Sequence, residues 1–127
     1  MKKIEDSLVP AVLWLLVSII LLTLPGSAIP KEDWLDKIGF DKCVHIIMFG
    51  IMVILWCRVP LKLDFSSRKL KISFLWIAVA ALAFGIGMEF VQKYFVPGRS
   101  CDVRDMLADA VGCAAGFFFC TRRFIKK

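Results

Sequence analysis

No charged side chain occurs between Asp6 and Lys31, and the block Leu8–Leu24, LVPAVLWLLVSIILLTL, is apolar almost throughout. Three further stretches resemble it. From about Asp41 to Trp56 the only titratable groups beyond Lys42 are Cys43 and His45. Ile72–Met88 is uncharged and ends on Glu89; Val103–Cys120 carries Arg104, Asp105 and Asp109 early and then no charge until Arg122. Each block is close to the roughly 20 residues that cross about 30 Å of hydrocarbon at about 1.5 Å per residue. The chain is 59% hydrophobic, and this apolar content lies in blocks rather than amphipathic stripes. Such a chain is expected to form one all-α integral membrane domain over residues 1–127, a bundle of four transmembrane helices at about 8–24, 41–57, 72–92 and 103–121.

Pro10 falls near the start of the first block, where the missing backbone donor is tolerated, and Pro25-Gly26 stops it. A cleaved signal peptide fits less well. The apolar core exceeds the roughly 7–15 residues of an h-region, and Glu5 and Asp6 occupy what would be its basic flank.

Basic residues set the expected orientation. Arg58, Lys62, Arg68, Lys69 and Lys71 crowd the second connection against Asp64 alone, and Arg122, Arg123, Lys126 and Lys127 close the chain. The positive-inside rule puts both regions, with Lys2 and Lys3, in the cytoplasm. Both termini are then cytoplasmic, and the first and third connections face outward across a bacterial cytoplasmic membrane. The formal charge of +6 is mostly this topology signal. No basic patch with interleaved aromatics points to nucleic acid. The cysteines lack C-x-x-C spacing and read as small embedded hydrophobes, with a Cys43–Cys101 disulfide the one pairing the topology allows.

In this topology Asp41, Lys42 and His45 open the second helix at the depth where Glu89 and Gln92 close the third and Asp102, Asp105 and Asp109 open the fourth. Ionisable groups gathered at one membrane depth mark a functional-site hypothesis. Spacings of three and four residues place Asp41, Lys42 and His45 on adjoining parts of one helix face, and Glu89 with Gln92 on another. Asp102, Asp105 and Asp109 form an i, i+3, i+7 stripe that Gly112 and Gly116 continue, so the acidic face is also one that admits close helix packing. Pro97-Gly98 makes the turn that pairs the last two helices and brings Arg99 and Ser100 to the rim.

Plainer readings compete. Asp41 and Asp102 suit helix N-caps, Lys42 a snorkelling flank residue, Glu89 a boundary marker and His45 an interfacial histidine. Asp109 resists such a reading, lying well inside an apolar helix, and needs a partner from another helix.

Asp41-Lys42-x-x-His45 with Phe49, Glu89-x-x-Gln92, Pro97-Gly98-Arg99-Ser100-x-Asp102-x-x-Asp105 and Gly112-x-x-x-Gly116 together resemble the VanZ-like family of small bacterial membrane proteins. The resemblance runs from Asp41 to Gly116. Asp109 departs from it, since that family often carries Asn there, so Asp109 must be paired or protonated. The family takes its name from a protein associated with low-level resistance to the glycopeptide teicoplanin, whose target lies outside the membrane; the resemblance implies a cell-envelope role and transfers no secure reaction.

Two functions lead from these residues. In the first, Asp41, Lys42, Gln92, Arg99, Ser100, Asp102 and Asp109 bind the headgroup of a membrane lipid or lipid-linked envelope precursor, with consequences for glycopeptide susceptibility. In the second, a membrane enzyme acts on such a headgroup, with His45 as general acid or base, Glu89 and Asp105 orienting it or sharing its proton, and Lys42 and Arg99 holding a phosphate or carboxylate. No nucleophile is evident. A divalent cation on Asp102, Asp105 and Glu89 has no standard spacing behind it, so neither metal nor cofactor is expected. A purely structural or partner-docking polar layer is the third reading, and a homodimer or membrane-protein partner is compatible with all of them.

Overall fold

The structure is a computed structural model that describes residues 2–24, 40–96 and 103–125. Four α-helices occupy them: α1 (Lys2–Leu22), α2 (Phe40–Cys57), α3 (Ser67–Phe95) and α4 (Val103–Phe124). A single 3₁₀ turn, Pro60–Lys62, lies between α2 and α3, with Pro60 at its start where the lost donor costs nothing.

Two helices begin earlier than their apolar blocks. Helix α1 starts at Lys2, which leaves Pro10 inside the helix rather than in its first turn; the backbone forgoes the bond that residue 10 would donate to the carbonyl of Asp6. Helix α3 starts at Ser67 because the Ser66 hydroxyl accepts from the Lys69 backbone N–H at 3.3 Å. That cap draws Arg68, Lys69 and Lys71 into the first turns of a 29-residue helix.

Helices α1 to α3 contribute three segments long and apolar enough to cross a membrane, Ile4–Leu22, Lys42–Lys62 and Ser67–Phe95. Helix α4 is less apolar, since Arg104, Asp105 and Asp109 sit in its first half and Arg122 and Arg123 in its last turn. Its charge is directional, however. Asp105 and Asp109 are buried, whereas Val103, Leu107, Val111, Phe118 and Phe119 form the exposed side. The outer surfaces of α1 and α3 are likewise apolar, with Leu13, Leu16, Ile20, Leu75 and Trp76 exposed.

Long-range hydrogen bonds set the direction of each helix. The Gln92 amide donates to the Leu22 carbonyl at 2.8 Å, so α1 and α3 end at the same level. His45, early in α2, meets Asp109, early in α4, so those two start there. Neighbours in the chain therefore run antiparallel, and the Trp14 indole N–H ties α1 to α2 by donating to the Met48 carbonyl at 3.0 Å.

The α2–α4 contact is the closest in the bundle. A Cβ at Gly112 would strike the backbone of Ile46, and one at Gly116 would lie 2.8 Å from Val53 Cβ and 2.9 Å from the Gly50 carbonyl oxygen. Below the polar end, Phe49, Met52, Val53, Phe74, Ala81 and Cys113 fill the core.

Candidate functional site

The close α2–α4 approach brings ionisable groups face to face. Asp105 and Asp109 are one helical turn apart on α4, and the His45 imidazole sits against both. His45 Nδ1 is 2.6 Å from Asp109 Oδ1, and Nε2 is 3.8 Å from Asp105 Oδ2. Lys42, a turn before His45 on α2, places Nζ 2.8 Å from Asp105 Oδ1. The result is a chain of contacts, Lys42–Asp105–His45–Asp109. Side-chain exposure falls along it from 26% at Lys42 and 11% at Asp105 to 5% at His45 and 1% at Asp109, so the chain leads from solvent into the bundle.

Helix α3 closes the third side. Glu89 is buried, and one of its carboxylate oxygens lies within 4.8 Å of donor atoms of both His45 and Asp109. One turn earlier, Gly85 lies against the Asp109 carboxylate: a Cβ there would be 2.6 Å from Oδ2 and 2.9 Å from Phe49 Cζ. Asp109 Oδ2 is buried with no hydrogen-bond partner among the described residues. Phe49 stacks beneath the imidazole, with ring centroids 6.4 Å apart and an interplanar angle of 8°, and separates the polar layer from the apolar core.

Chemically this is an oriented imidazole. With Nδ1–H donating to Asp109, Nε2 is turned toward Asp105, the arrangement in which a carboxylate fixes the tautomer of an acid–base histidine. A buried carboxylate beside a buried imidazole also satisfies groups that would each be costly alone.

Residues 5–125 match the family model described as VanZ/LLP1. The chain belongs to the VanZ/LLP1 family. No curated protein and no solved structure matches it.

The VanZ/LLP1 match takes in α1 from Glu5 onward and the other three described helices whole, so α1 belongs to the unit along with the span Asp41–Gly116. Of the candidate site residues, Lys42, His45, Glu89, Asp105 and Asp109 come together. Gln92 is buried at the same level, but its amide N–H is committed to the Leu22 carbonyl. It fastens α1 to α3, and Gln92→Leu should cost about 0.5–1.5 kcal/mol, read as earlier thermal unfolding in detergent. Asp41 falls within the first turn of α2; its side chain, with Arg99, Ser100 and Asp102, lies outside the described residues. Cys43 is a free, exposed thiol, and Cys101 is outside the described residues.

Gly85 is the contributor that spacing arguments overlook. Its only signal is its place four residues before Glu89 on the same face of α3, which becomes meaningful once Asp109 is known to press against it.

Proposed function

We propose that this VanZ/LLP1 protein crosses a bacterial cytoplasmic membrane four times, with both termini in the cytoplasm, and that its polar layer binds the headgroup of a lipid or lipid-linked envelope precursor at the outer face. The apolar outer surfaces of α1, α3 and α4 support the membrane setting. Orientation rests on Arg58, Arg68, Lys69, Arg122 and Arg123, which belong to the helix ends opposite His45.

The observation that carries the headgroup reading is Lys42. Its ammonium is held by Asp105 at the accessible edge of an otherwise buried cluster, where it can take a phosphate or carboxylate oxygen by a charge-assisted hydrogen bond. Lys42 is 26% exposed while the Asp105 side chain is only 11% exposed, and an amide in place of the ammonium keeps a hydrogen-bond donor for that carboxylate. Lys42→Gln should therefore remove the bound headgroup from a protein whose circular dichroism and elution volume show it still folded. Native mass spectrometry of protein purified with its lipids tests this: wild type should retain a lipid of one headgroup class that Lys42→Gln and His45→Gln lose. Identical lipid profiles in all three proteins would refute it. If the ligand is a cell-wall precursor, glycopeptide susceptibility should shift when the protein is expressed and return with Lys42→Gln.

The contact chain favours one second reading, acid–base catalysis on the bound headgroup. The His45–Asp109 pair supports it, because a general base needs a fixed tautomer and a fixed ring. In this reading water is the nucleophile and His45 its base. Release of phosphate or headgroup alcohol from the retained lipid by wild type, absent with His45→Gln, would distinguish turnover from binding.

A further inference from the structure

We infer that His45, Glu89 and Asp109 form a binding site for one divalent transition-metal ion, of the Zn²⁺ type. The three residues come from three different helices, α2, α3 and α4, and all are buried. Each offers one donor atom, and these atoms lie within 4.8 Å of one another. Donors that each bind a metal at about 2.0–2.2 Å stand no more than about 4.4 Å apart, so the helices need close by only a few tenths of an ångström at most.

A second observation points the same way. Asp109 is 1% exposed, yet its Oδ2 has no hydrogen-bond partner among the described residues. A buried carboxylate oxygen left without a partner costs free energy, and a cation supplies what the described helices do not. One imidazole nitrogen with two carboxylates suits a borderline ion better than Mg²⁺ or Ca²⁺, which prefer all-oxygen shells.

The ion displaces the proton shared between His45 Nδ1 and Asp109 Oδ1 at 2.6 Å and is taken by both Asp109 oxygens, so that Oδ2 gains its partner and binding releases protons to the medium. Three protein donors leave a coordination position open, as catalytic rather than structural metal sites do. Lys42, held by Asp105 at the accessible edge, would then donate to a headgroup oxygen close to that open position. This inference does not require the headgroup reading, because the donor set is complete in the protein's own side chains.

The test uses full-length protein in detergent, stripped of metal with a chelator, and carried in a Cys43→Ser background so that the exposed thiol takes no ion. Co²⁺ is titrated, its visible absorption is recorded, and Zn²⁺ is then added in competition. One saturable equivalent of Co²⁺, displaced by Zn²⁺ with proton release, is expected. Glu89→Gln and Asp109→Asn should each weaken binding by at least about tenfold, with unchanged circular dichroism and elution volume. Absence of a saturable equivalent in the unsubstituted site overturns the inference, as does equal binding by both variants. Protein that retains its headgroup lipid but takes no Co²⁺ overturns this inference alone; saturable Co²⁺ binding with no headgroup-specific lipid overturns only the headgroup reading.

Discussion

His45→Leu should destabilise the protein by about 3–5 kcal/mol, the usual consequence of removing one partner from a buried charged pair. The imidazole touches Asp109 at 2.6 Å and Asp105 at 3.8 Å, and Glu89 stands close by. Without it, carboxylates from two helices share a low-dielectric pocket with less to hold them, and the α2–α4 seam must loosen or admit water. The double variant His45→Leu/Asp109→Leu removes both charges and fills the space with apolar atoms, so it should recover most of the loss. Unfolding in mixed detergent and SDS micelles measures His45→Leu, Asp109→Leu and the double variant. Strict additivity of the single changes would show that the two side chains are not coupled.

The second large effect is steric. Gly112→Val should cost more than the about 1–3 kcal/mol typical of overpacking, because its Cβ would meet the backbone of Ile46, and a backbone cannot turn aside as a side-chain tip can. Gly87→Ala is the matched control on an open surface: nothing lies within 4 Å of a Cβ there, and helix propensity favours alanine by about 0.5–1 kcal/mol. Thermal unfolding should therefore move in opposite directions for the two variants. Equal responses would mean that α2 and α4 do not pack backbone to backbone at Gly112.

Much of this arrangement could be read before any coordinates. Spacings of three and four residues put Asp105 and Asp109 on one face with Gly112 and Gly116, and that face does pack against another helix, at Ile46, Gly50 and Val53. The need of Asp109 for a partner from another helix followed from its position; that the partner is His45, and that Lys42 takes Asp105 instead, did not. Periodicity specifies which side of a helix a residue occupies, but not the rotation and height of the helix it meets. For the same reason the hydrogen bond from the Gln92 amide to the Leu22 carbonyl was not legible. Helix ends were least legible. Pro10 lies deeper in α1 than an apolar block suggests, and a single hydroxyl at Ser66 starts α3 among its basic residues, because hydropathy is silent about capping.

The pairing of α2 with α4 across an intervening α3 also dictates an order of biosynthesis. A ribosome releases α2 and α3 first, leaving His45 without Asp109 and Gly50 without Gly116. Helix α4, the least apolar of the four by its charges, then arrives carrying two acids that only the waiting α2 and α3 can shelter. In the four-span topology proposed above, its entry into hydrocarbon and completion of the polar cluster are one event, so a nascent chain truncated before α4 would present an unfinished seam to quality control and could not carry out part of the function.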